Sequence, residues 1–193
     1  MLQDNKTSKF IFAAVLCGIA LALSLLDGSI SSLLPLPGFK LGLANAVSLF
    51  ALYYLGLSWS VLICIARSFL TAMLSGNMTM LFFSLAGGLL SIIIMYTLKK
   101  HLSIIKVSAL GGIAHNLAQL SVAALLTSTP QISYYLPMLV LTGTLCGFFI
   151  GVLCSLVFTR LKLPQTPQDL GALPRTPQDL GTPPRTPQGS KLP

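Results

Sequence analysis

Charge is what this 193-residue chain has least of: 8% of its residues are Asp, Glu, Lys or Arg, against 54% that are hydrophobic, with a mean hydropathy of +0.83. Soluble domains are about a quarter charged, so that class is excluded. Acid is scarcer still. The chain has 4 acidic residues, all Asp and none paired, which leaves no ligands for the aspartate-rich Mg²⁺-diphosphate site of a prenyl-transfer enzyme. It has no GxxxxGK[ST] loop, so it does not hydrolyse ATP on its own. Serines near His115 have no acidic partner to orient the imidazole, which argues against a Ser-His-Asp arrangement. Cys17, Cys64, Cys146 and Cys154 form no CxxC motif, so neither a zinc site nor a disulfide framework is indicated, and they read as small core hydrophobes.

What is present is apolar length. Hydrophobic segments cover 10–26, 41–57, 59–74, 78–98, 104–127 and 135–158. Most of them approach the roughly 20 residues needed to cross about 30 Å of hydrocarbon. The expectation is an all-α integral membrane protein: a six-transmembrane-helix bundle over 10–163, whose third span is short. The first span has the length and basic flank of a signal peptide, but no small-x-small cleavage site with suitable flanks follows it and five more spans do, so it reads as retained. Lys6, Lys9, Lys99, Lys100, Lys106, Arg160 and Lys162 fall on one side, whereas the other holds Lys40 and Asp27. Positive residues stay inside, so both termini, including the 1–9 segment, are expected in the cytoplasm. The net charge of +8 then reflects topology and anionic lipid rather than nucleic acid.

Between the first two spans, 27–40 contains two prolines and two glycines among apolar residues, and a non-helical cap on the outer face is expected. Small residues recur at helical spacing: Ala14, Gly18 and Ala22; Gly87, Gly88 and Ser91; Gly143, Gly147 and Gly151. Small residues let helix backbones approach closely in lipid, and the plainest expectation for each stripe is packing within the chain. Tyr53, Tyr54, Trp59, Tyr134 and Tyr135 lie at span ends, as interfacial anchors do. After Leu163 the composition changes to three copies of a ten-residue repeat, starting at Pro164, Pro174 and Pro184. Proline at that density predicts a disordered cytoplasmic tail over 164–193.

Polar residues inside the apolar segments carry the functional signal. Arg67 is ten residues from the start of its span near Leu57, or roughly 15 Å deep at 1.5 Å per residue, close to the midplane. A charge facing lipid there would cost roughly 2.5–3.5 kcal/mol on insertion scales, so a solvated or ligand-filled cavity is the default expectation. His115, Asn116 and Gln119 reach a similar depth and share one polar sector of their helix. Asn45, Asp27, Lys40 and Asn77 form a shallower outer set. Together they sketch a cavity that opens outward, in which Arg supplies a planar fork of donors and Asn and Gln both donate and accept. The competing reading is structural: Arg67 bonded to helix-end carbonyls or to Asp27, and the His115 group serving as glue between helices.

The motifs Pro37-Gly-Phe-Lys-Leu-Gly-Leu-Ala-Asn45, Ser84-Leu-Ala-Gly-Gly88 and Gly111-Gly-Ile-Ala-His-Asn-Leu-Ala-Gln119, followed by Tyr135-Leu-Pro137 and Gly143, carry a family resemblance. Over about 10–161 the chain resembles the bacterial Gx transporter family, also described as heptaprenyl diphosphate synthase component I. That family is similar in turn to the substrate-binding S-components of energy-coupling-factor (ECF) transporters. The resemblance implies a multi-pass protein of the bacterial cytoplasmic membrane with a transmembrane coupling subunit and ATPase subunits as partners. It further implies an outward-facing site for a vitamin or cofactor-type solute, with flavins and isoprenoid-quinone precursors as candidate transported ligands, and no intrinsic cofactor. The stripe on the first helix, Ala14, Gly18 and Ala22, would face the partner, although S-components usually carry Ala-x-x-x-Ala.

The expected function is therefore that of a substrate-capture subunit in vitamin uptake, with Asn45, Arg67, His115, Asn116, Gln119 and Lys40 on the small-molecule site. Two other readings remain: a component of heptaprenyl diphosphate synthesis, and a stand-alone secondary transporter in which His115 titrates. No internal inverted repeat is visible, and no acidic residue accompanies His115 in its span.

Overall fold

The computed structural model describes residues 6–33, 42–128 and 134–161. These form α1 (Lys6–Leu33), α2 (Leu43–Tyr54), α3 (Leu57–Leu74), α4 (Thr79–Leu98), α5 (Ile104–Thr127) and α6 (Leu136–Leu161), and the described residues include no strand. Five of the helices are long and apolar enough to cross a membrane, which makes the chain a multi-pass membrane protein. The expected tail over 164–193 lies outside the described residues.

The short element is α2, not α3. Helix α3 has 18 residues, whereas α2 has 12 and rises only about 18 Å at 1.5 Å per residue. The apolar run through 41–57 conceals two breaks. Gly42 precedes α2 at φ 68° and Gly56 follows it at φ 95°, backbone conformations that glycine adopts without a Cβ clash. A second expectation also fails: α1 continues through Asp27 and Gly28 to Leu33, so the first part of the anticipated outer cap is helical. A single glycine costs a helix about 1 kcal/mol and does not stop it. Proline is the stronger break, because it disfavours helical geometry at the residue before it, and Pro35 comes just beyond this end.

Helix α2 joins two halves of the bundle. One of its faces meets α1 and α3 through Ala13, Leu16, Ala20, Val47, Ala51 and Ile63. Leu49 and Leu52 meet α4, α5 and α6 in a second cluster with Ile92, Val107, Ile150 and Phe158. Charged groups hold both its ends. The carboxylate of Asp27 on α1 accepts the Gly42 N–H at 2.9 Å, and Lys99 Nζ, just after α4, donates to Leu52 O at 3.4 Å. A negative group at the N-terminus and a positive one at the C-terminus both match the helix dipole. Lys99 also lies over the Tyr96 ring, 4.9 Å from its centroid, and burial together with neighbouring Lys100 pushes its pKa down.

The end of the bundle opposite Asp27 is closed by aromatic rings. Phe10 meets Trp59 edge-on, Phe12 and Phe50 lie against Tyr54, and Phe158 lies between Phe50 and Tyr53. Tyr53, Tyr54 and Trp59, expected as interfacial anchors, thus pack against other helices as well. The starts of α1 and α3 meet the ends of α2 and α6 at this level, as in helices that run antiparallel to their sequence neighbours.

Candidate functional site

Arg67 projects from α3 into the bundle and is 5% exposed. Its Nη1 donates to Ser24 Oγ on α1 at 2.9 Å, its Nη2 reaches Cys64 Sγ at 3.9 Å, and its buried Nε–H makes no hydrogen bond. The surrounding α3 backbone is braced locally: Thr71 Oγ1 donates to Arg67 O at 2.8 Å, and the Ser68 and Ser84 hydroxyls share a bond of 2.9 Å that ties α3 to α4.

The glycines of the Ser84–Gly88 motif make room for Cys64 and His115. A Cβ on Gly88 would collide with Cys64 Sγ and lie 3.6 Å from Arg67 Nη2, and a Cβ on Gly87 would lie 2.7 Å from the His115 ring. These two positions therefore seat polar side chains, a role that small-residue spacing alone did not suggest.

Two hollows adjoin at His115. The larger, about 50 Å³, lies between α1, α2, α3, α4 and α5 and is lined by Asp27, Asn45, Arg67, Ser68, His115 and Gln119 among others. At the roughly 10–15 Å³ that each water centre requires, it has room for about four water molecules. The smaller, about 20 Å³, lies between α2, α4, α5 and α6 and includes Ser91, Ser108, His115, Asn116 and Cys146. Gly42, Asn45 and His115 line both, so the imidazole and the Asn45 amide stand at the boundary between them.

The sequence-derived set is thus brought together in part. Arg67, Asn45, His115 and Gln119 share the larger hollow. Asn116 does not join them. The turn of about 100° between successive helical residues carries it to the α6 side, where its Nδ2 donates to Leu139 O at 2.8 Å. That contact is the interhelical bond of the structural alternative. Asn77 is not part of the site either: its Oδ1 accepts the N–H groups of Thr79 and Met80 and caps α4. Lys40 lies outside the described residues. Asp27, 7% exposed and named in the expected outer set, also lines the larger hollow, as does Ser24, which the sequence reading did not name. Their spacing of three on one helix places them on a common face, and that was the available signal.

The first-helix stripe points outward. Ala14, Gly18 and Ala22 are all exposed, and a Cβ on Gly18 would meet nothing within 4 Å. All four cysteines are free thiols; Cys64 and Cys154 are buried, as expected of core residues, while Cys17 and Cys146 are only partly covered.

A family model described as heptaprenyl diphosphate synthase component I matches residues 16–157. No curated protein and no solved structure matches the chain.

Proposed function

The chain belongs to the heptaprenyl diphosphate synthase component I family, and from that premise we propose that it is a membrane subunit that captures a small vitamin or cofactor-type solute for a multi-subunit transporter. The observation that carries this reading is the polar hollow where Arg67, Asn45, His115 and Gln119 from three helices line one space among apolar segments. Ionisable groups inside a membrane bundle are costly and mark ligand or ion pathways. Lys6, Lys9, Lys99, Lys100 and Arg160 then face the cytoplasm of a bacterial cell together with both termini, and the Asp27 end faces outward.

On this reading, ATP-driven transport requires partners, because the sequence carries no nucleotide-binding loop. The exposed Ala14, Gly18 and Ala22 stripe suits close approach by a transmembrane coupling subunit, with ATPase subunits behind it. Native mass spectrometry of gently extracted protein should find a retained small solute that is lost in Arg67→Ala. Equal retention in wild type and that variant would remove the site assignment.

A second reading has the family's description in its favour: a component of heptaprenyl diphosphate synthesis. Asp27 is the only carboxylate side chain among the described residues, so such a component would depend on a partner that brings its own Mg²⁺ ligands. Chain elongation by this polypeptide alone with Mg²⁺ would favour the enzyme over the capture subunit. The secondary-transporter reading rests on His115 alone, and uptake by the isolated protein in liposomes under a pH gradient would establish it.

A further inference from the structure

The larger hollow has an electrostatic asymmetry that narrows what it holds. Of the two oppositely charged groups that line it, Asp27 already accepts from the N-terminus of α2, at the Gly42 N–H. The hydrogen bonds of Arg67 go to a neutral hydroxyl and a neutral thiol, the latter at 3.9 Å, and its Nε–H makes none although the residue is 95% buried. A guanidinium has five N–H donors in a planar fork, and bonds from it to an anionic oxygen are about twice as strong as neutral ones. Around it stand the paired Ser68 and Ser84 hydroxyls and the Asn45 and Gln119 amides, all of which can donate to oxygen. A space of about 50 Å³ fits a small head group rather than a whole cofactor.

We propose that this hollow receives an acid group, a carboxylate or a phosphoryl oxygen anion, on the guanidinium of Arg67, with the rest of the ligand lying toward the Asp27 end. The inference rests on reading the hollow as a ligand site and adds the chemical class of the ligand. Two sources share this chemistry, a free solute and a lipid headgroup.

Thermal unfolding of the purified full chain in phosphatidylcholine nanodiscs tests it, with inorganic phosphate or acetate compared with chloride at equal ionic strength. At about ten times the dissociation constant, phosphate or acetate should raise the wild-type Tm by about 3 °C, and Arg67→Gln should abolish the rise. A rise in phosphatidylglycerol nanodiscs without added anion, also lost in Arg67→Gln, assigns the acid to a lipid headgroup; a rise in phosphatidylcholine with added anion assigns it to a free solute. Should Arg67→Gln fail to fold, Arg67→Lys, which keeps the charge and loses the fork, should need at least about fivefold more phosphate for the same rise. No rise in either wild-type preparation, or an equal rise in wild type and variant, overturns the proposal. A neutral solute retained in native mass spectrometry and lost in Arg67→Ala would leave the capture function standing while the acid-group inference falls.

Discussion

Two stripes of small residues, one on α6 and one on α1, have the same spacing and opposite fates. On α6, Gly143, Gly147 and Gly151 lie so close to α5 that an added Cβ would reach Gly112 O at 2.9 Å, Ser108 O at 2.6 Å and Ile105 Cα at 2.8 Å. On α1, Gly18 has open space where its Cβ would be, and Ala14 and Ala22 are exposed. Hydrocarbon gives apolar helices little reason to associate, so close backbone contact must supply the attraction. The α6 stripe spends that capacity within the chain; the α1 stripe keeps it available. Identical spacing therefore does not say whether a close contact is made within the chain.

The largest effect expected from disturbing this contrast is at Gly147. Gly147→Leu should force α5 and α6 apart, costing about 3 kcal/mol and lowering Tm by about 10 °C. A Tm within 2 °C of wild type, read by scanning fluorimetry in detergent, would show that the α5–α6 seam is not tight. Asn116→Ala removes the side-chain bonds from α5 to Leu139 O and Thr142 Oγ1 on the same seam and should cost about 1 kcal/mol, in line with polar pairs between membrane helices. A loss of 3 kcal/mol or more would mean that this amide, rather than the glycines, holds the seam.

The smallest effect on stability is expected at Gly18. Gly18→Leu should change Tm by less than about 1 °C, because the new side chain meets nothing in the chain. If the stripe serves the coupling subunit, the same variant should lose co-purification with it in a pull-down at native expression. Full co-purification would break the distinction between the closed stripe and the open one.

Much of this architecture was legible before any coordinates. Apolar length alone placed all six helices, and the cost of a charge facing lipid placed Arg67 inside the bundle. What escaped was conformational rather than compositional. Hydropathy runs unbroken across Gly42 and Gly56, so the true length of α2 was hidden in two backbone torsions. Neighbours one residue apart on a helix diverge by about 100°, which sent Asn116 to α6 while His115 and Gln119, one turn apart, stayed with Arg67. Gly87 and Gly88 were read as a packing stripe because spacing does not reveal whether the neighbour is a backbone or an imidazole. Ser24 escaped because it becomes meaningful only through a partner 43 residues away in the chain.

The length of α2 follows from the way it is moored. Asp27 fixes one end and Lys99 the other, and between those fixed points Asn45 must face the hollows at one rotational setting. Adding a single residue would turn one end against the other by about 100° and lengthen the element by about 1.5 Å, so that at least one mooring or the Asn45 amide would be out of place. This stretch of the chain behaves as a ruler whose residue count is set by its two moorings.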